Sequence, residues 1–122
     1  MTSLIKVDNI APSAGGTEFS LTRGVAKAWV NFNGTGTVAI RDSENVSSIT
    51  DSGTGVYTLN LSNDFDVADY SICASTTGGA GAYSVAGPDT QLSSSFAIYT
   101  SDGSTAQEDK TSVWACSHGD LA

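Results

Sequence analysis

His118 is the one histidine in the 122-residue chain, so a hydrolytic centre is the first chemistry to test against it. Such a centre needs a nucleophile with a base held beside it and a further group orienting that base. Serines are plentiful, but none stands in a Gly-x-Ser-x-Gly elbow, and His118 follows the last strand-like segment. It is expected to be a solvated tail residue. Asp64, Asp66 and Asp69 stand close together in NDFDVADYS and could offer oxygen ligands to Ca²⁺, which takes several carboxylates and carbonyls from one loop. The EF-hand pattern is not met: no glycine stands at the sixth position and no glutamate closes the loop. Paired carboxylates for glycoside hydrolysis would need a second acid across a cleft, and no residue ties one to this cluster. A solvated connection between strands is the expectation here.

Cys73 and Cys116 are the two cysteines, in DYSICAS and SVWACS, without C-x-x-C spacing. Two buried free thiols acting as small apolar groups are expected, with a disulfide as the alternative. The glycine-rich run TTGGAG at 76–81 lacks the following helix and the Lys-Ser/Thr of a phosphate-binding loop. It reads as a surface loop, and with AGPDTQ at 86–91 it is a candidate contact region. The loop contact candidates are Thr77, Gly78, Gly79, Pro88 and Asp89. No catalytic, cofactor-binding or metal-ligating residue is assigned, and the chain is not expected to be an enzyme.

The segments that must carry these residues alternate with a period of two. Ala28, Val30 and Phe32 share one side of a strand and Lys27, Trp29 and Asn31 the other; Tyr57, Leu59 and Leu61 repeat the pattern. Trp29 thus lies opposite the apolar set, and Trp114 alternates against Val113 and Ala115 in the same way. Large aromatics there suggest a covered second face, a subunit interface or a sugar platform, and Trp29 and Trp114 are interface candidates. Strands are expected at 26–33, 36–41, 46–51, 56–62, 69–75, 81–86, 95–101 and 111–117, joined by short turns such as NGTG and SGTG. The fold class is all-β: an antiparallel β-sandwich or jelly-roll-like domain. The best helical candidate is the weak run at 105–110.

Residues 1–22 read as an N-terminal extended arm and 23–122 as the β-domain. Leu4, Ile5 and Val7 are further interface candidates, because the arm has too few apolar groups to bury itself. The chain is 39% apolar, enough for one modest core. Its net charge of −8, with basic residues scattered singly at Lys6, Arg23, Lys27, Arg41 and Lys110, argues against nucleic acid and anionic membranes as partners. Residues 1–20 lack the basic and apolar regions of a signal peptide, and no apolar run reaches membrane-spanning length, so a product made in the cytoplasm is expected.

The stretch AKAWVNFNGTGTVAIRDSENVSSITDSGTGVYTLNL resembles a module that recurs in virion proteins of tailed bacteriophages, above all at the ends of tail-fibre-type proteins. SLIKVDNIAPSAGGTEFSLTRG is similar to the lead-in that often precedes that module, and together they cover about the first half of the chain. The resemblance implies a non-enzymatic structural protein of the virion, made in the host cytoplasm and assembled as a homotrimer. Its tail-fibre or receptor-binding form has the arm docked to other virion proteins and the distal loops facing a host surface glycan or protein. A capsid decoration protein bridging coat subunits is the alternative. A polysaccharide depolymerase tip is a third reading.

Overall fold

The structure, a computed structural model, describes residues 2–11, 13–77, 85–104 and 106–122. Its body is a β-sandwich of two four-stranded antiparallel sheets. The first sheet has the order β4-β3-β10-β7, with β3 at Ala28–Asn33, β4 at Ala39–Glu44, β7 at Ser71–Thr76 and β10 at Val113–His118. The second has the order β5-β6-β9-β8, with β5 at Val46–Gly53, β6 at Val56–Leu61, β8 at Val85–Leu92 and β9 at Ser95–Ser101. Ahead of them, β1 (Asn9–Ile10) pairs with β2 (Phe19–Ser20), and Leu21–Gly24 makes one helical turn, α1.

Alternation places the core. Ala28, Val30 and Phe32 of β3, with Val113 and Ala115 of β10, face Tyr57, Leu59 and Leu61 of β6 and Phe96 and Ile98 of β9, all buried. The Phe32 and Tyr57 rings meet edge to face across the two sheets, 5.0 Å between centroids, a geometry that adds about 0.5–1.5 kcal/mol to simple burial. At the other end of the sandwich Phe65 stacks on Tyr70 at 3.9 Å, and the Tyr70 hydroxyl donates to Leu92 O at 2.8 Å.

The chain passes between sheets at Asn45, a single residue separating β4 from β5. Its φ of 57° is left-handed, a conformation asparagine tolerates better than most residues. Its side chain fixes the corner: Oδ1 accepts from Asn63 N at 2.7 Å and Nδ2 donates to Asn63 O at 3.0 Å.

The two Gly-Thr-Gly turns converge on Tyr57. Its hydroxyl lies 3.1 Å from both Gly34 O and the Asp109 carboxylate, and Gly55 N donates to the same carboxylate oxygen at 2.6 Å. A Cβ on Gly34 would strike the Tyr57 hydroxyl; one on Gly55, where φ is +65°, would lie 2.5 Å from Thr100 O. Residues 106–110 are not helical. They lie along β9, with Glu108 N donating to Thr100 O at 3.0 Å and Thr100 Oγ1 donating to Glu108 O at 2.6 Å. Lys110 is buried there, its ammonium 2.7 Å from the half-exposed Glu108 carboxylate.

Two other expectations change. The second strand of the body begins at Ala39 rather than 36 and runs through Arg41 to Glu44, with a register shift opposite Asn31 and Phe32. AGPDTQ is not a loop: Pro88 and Asp89 lie in β8, an edge strand with its own register shift between Pro88 and Gln91. An edge with an irregularity is where proline is tolerated, since no ladder hydrogen bond needs its missing N–H. The expected strand at 81–86 lies largely outside the described residues. Leu4, Ile5 and Val7 lie outside any strand.

Candidate functional site

The outward side of the β4-β3-β10-β7 sheet collects the residues that alternation sends away from the core. Register places them in two cross-strand rows. Glu44, Trp29, Cys116 and Cys73 form one, and Asp42, Asn31, Trp114 and Ser75 form the next. Trp29 and Trp114 are thus diagonal neighbours on adjacent strands, 37% and 38% exposed. With Cys73, Cys116 and Asp42 they line a shallow hollow of about 490 Å³. Arg41 does not line it but lies beside Asn31, its guanidinium donating to Asn31 Oδ1 at 3.3 Å, to Phe32 O at 3.0 Å and to Thr111 O. The hollow therefore has an apolar, polarisable floor with the Asn31 amide and the Asp42 carboxylate at one side, chemistry suited to recognition by stacking and hydrogen bonding.

The two thiols do not behave as expected. Cys73 is exposed and Cys116 half-buried, both free, because Ile72 and Ala74 of β7 and Ala115 and Ser117 of β10 take the inward positions. The cysteines lie directly opposite each other on adjacent strands. Partial burial pushes the Cys116 thiol up from its ordinary value, and the neighbouring Cys73 thiol adds to the effect.

A second hollow, of about 420 Å³, lies at the end of the sandwich where β10 finishes, lined by Asp66, Asp69, Tyr70, His118 and Asp120 among others. His118 is the last residue of β10, paired with Ser71, rather than a tail residue beyond the strand. Of the expected acidic cluster, Asp66 and Asp69 meet here, while Asp64 is not among the lining residues; its carbonyl accepts from Ala122 N. Among the described residues no group of three or more His, Cys, Asp or Glu is arranged to hold a metal ion. Inside the sandwich, burial pushes Tyr57 up to about 12, helped by the Asp109 carboxylate, and burial alone does the same for Tyr70.

The other expected contact residues are scattered. Leu4 and Ile5 are 75% and 84% exposed and Val7 is half-exposed, in the segment that precedes β3. Thr77 follows β7 at the opposite end of the sheet, since Thr76 pairs with Val113 and Val113 with Phe32, whereas the chain enters β3 at Ala28. Gly78 and Gly79 lie outside the described residues. The sequence reading missed Arg41, Asp42 and the outward thiols. Placing every second residue of DYSICAS inward from Tyr70 would have turned Cys73 outward.

No protein-family model, no curated protein sequence and no solved structure matches the chain. Among the described residues no helix is long and apolar enough to cross a membrane. What the fold and the site define is a β-sandwich with one aromatic, thiol-bearing sheet face.

Proposed function

We propose that this protein is a non-enzymatic structural subunit of a tailed-phage virion, of tail-fibre or receptor-binding type, assembling as a homotrimer. The phage assignment rests on the resemblance of 26–61, a stretch that builds β3 to β6 and so contributes to both sheets. The observation that carries the assembling role is the Trp29–Trp114 face, where two large aromatics stand at outward positions of a sheet already supplied with a core. Such a face suits an interface, whose centre is enriched in tryptophan and depleted of lysine and glutamate. The polarity of the chain supports the rest. The exposed apolar residues Leu4, Ile5 and Val7 precede one end of the sandwich and suit docking to another virion protein, while Thr77 and the turns at 34–36 and 53–55 lie at the other and suit contact with a host glycan or protein.

Binding of labelled protein to purified tails and to purified empty heads tests the placement. Binding to tails is expected; binding to heads alone would make it a decoration protein, and binding to neither would end the virion reading. Assembly is tested by Trp29→Ala, which is expected to lower the oligomeric mass in sedimentation equilibrium. An unchanged mass would remove this face from the interface.

A further inference from the structure

The cysteine pair shares its face with Trp29 and Trp114 and supports an inference about the subunit before that face is covered in assembly. Cys73 and Cys116 are in direct cross-strand register and both turned outward. Opposite residues on antiparallel strands hold their Cβ atoms roughly 4.5–5.5 Å apart, and a disulfide needs roughly 3.5–4.5 Å. An approach of about 1 Å therefore suffices, without change of register. The strand that would move is well suited to it: among the described residues β7 is the edge of its sheet, paired with β10 alone. Neither cysteine carries the core, since the inward positions beside them belong to Ile72, Ala74, Ala115 and Ser117.

We propose that Cys73 and Cys116 form a redox-active dithiol that closes a β7–β10 disulfide on encounter with a small-molecule disulfide such as oxidised glutathione. The exposed Cys73 reacts first. Its thiolate attacks one sulfur of the oxidant, the oxidant's S–S bond breaks, and one small thiolate leaves and takes up a proton. The Cys116 thiolate then attacks the Cys73 sulfur of the mixed disulfide, and the second small thiolate is released and protonated. The two protein thiols lose two electrons and two protons, and one oxidant disulfide becomes two thiols. The product staples the edge strand to its neighbour beside the two tryptophans.

The test uses the full chain, reduced, freed of reductant and then exposed to oxidised glutathione. Intact mass is expected to fall by two hydrogens with no retained glutathione, and non-reducing peptide mapping to join the Cys73 and Cys116 peptides. The melting temperature is expected to rise by about 5 °C or more, because the crosslink closes a long loop of the unfolded chain, and a phosphine reductant to reverse the shift. Cys116→Ser is expected to hold a stable glutathione adduct on Cys73, with Cys116→Ala as a second version should the serine variant fold poorly. A glutathione adduct that persists in the unsubstituted protein, a disulfide joining two chains, or thiols that remain fully titratable would each overturn the proposal.

Discussion

The two outer faces of the sandwich are built from the same kind of strand and differ in what their outward positions carry. On the β5-β6-β9-β8 sheet the outward side of β5 and β6 carries hydroxyls and an amide that bond to one another, beside Val56 and Tyr99: Asn60 Nδ2 donates to Ser48 Oγ and Thr50 Oγ1, each at 3.1 Å, and the Ser52 and Thr58 hydroxyls lie 3.0 Å apart. On the β4-β3-β10-β7 sheet the central outward positions hold Trp29, Trp114, Cys73 and Cys116. A polar ladder is at home in water. Two half-exposed indoles beside two thiols leave apolar surface uncovered. The difference teaches that strand propensity alone did not select these residues, since serine and threonine serve equally well on the opposite face.

The layer between the faces sets the scale for breaking that comparison. Tyr57→Ala removes a fully buried ring and its hydroxyl from Phe32, Gly34 and Asp109, and a loss of about 3–5 kcal/mol is expected in urea unfolding. A smaller loss would mean that the faces do not share one core. Alkaline pH comes next. Tyr57 and Tyr70 are both pushed from 10.0 to about 12 in the folded protein, so the folded state favours their neutral forms. Their contribution is fully present below pH 10 and is lost as pH rises through about 12. The urea midpoint should therefore fall between those values, and Tyr70→Phe should flatten the decline; an equal decline in that variant would exclude Tyr70 as a source. The smallest effects compare the faces directly. Trp114→Ala should cost about 1–2 kcal/mol from partial burial, and Asn60→Ala under about 0.5 kcal/mol as a surface change. Equal losses would erase the distinction.

Where strands bury one side cleanly, the sequence was readable. The alternation of Ala28, Val30 and Phe32 and of Tyr57, Leu59 and Leu61 gave the correct inward faces, and β9 was expected at the residues it occupies. The misreadings have tertiary causes. At Arg41 a bulge interrupts the period of two, so local alternation puts β4 too early. Residues 106–110 carry helix-compatible side chains, but their backbone groups bond to β9 and to Gly34 instead, contacts that no local pattern reveals. The glycines of the two turns were visible as turn residues, yet their requirement comes from the Tyr57 hydroxyl and from Thr100, distant in sequence. The candidate site is half legible: Trp29 and Trp114 stand out by alternation, whereas the usual burial of cysteine points the thiols inward.

The crossing at Asn45 carries a consequence for how the molecule comes apart. One residue separates a strand of each sheet, and its amide is tied to Asn63 just beyond β6. Fraying of either layer therefore pulls directly on the other, with no slack to absorb the displacement. The sandwich should melt as one cooperative unit, its calorimetric and van't Hoff enthalpies equal.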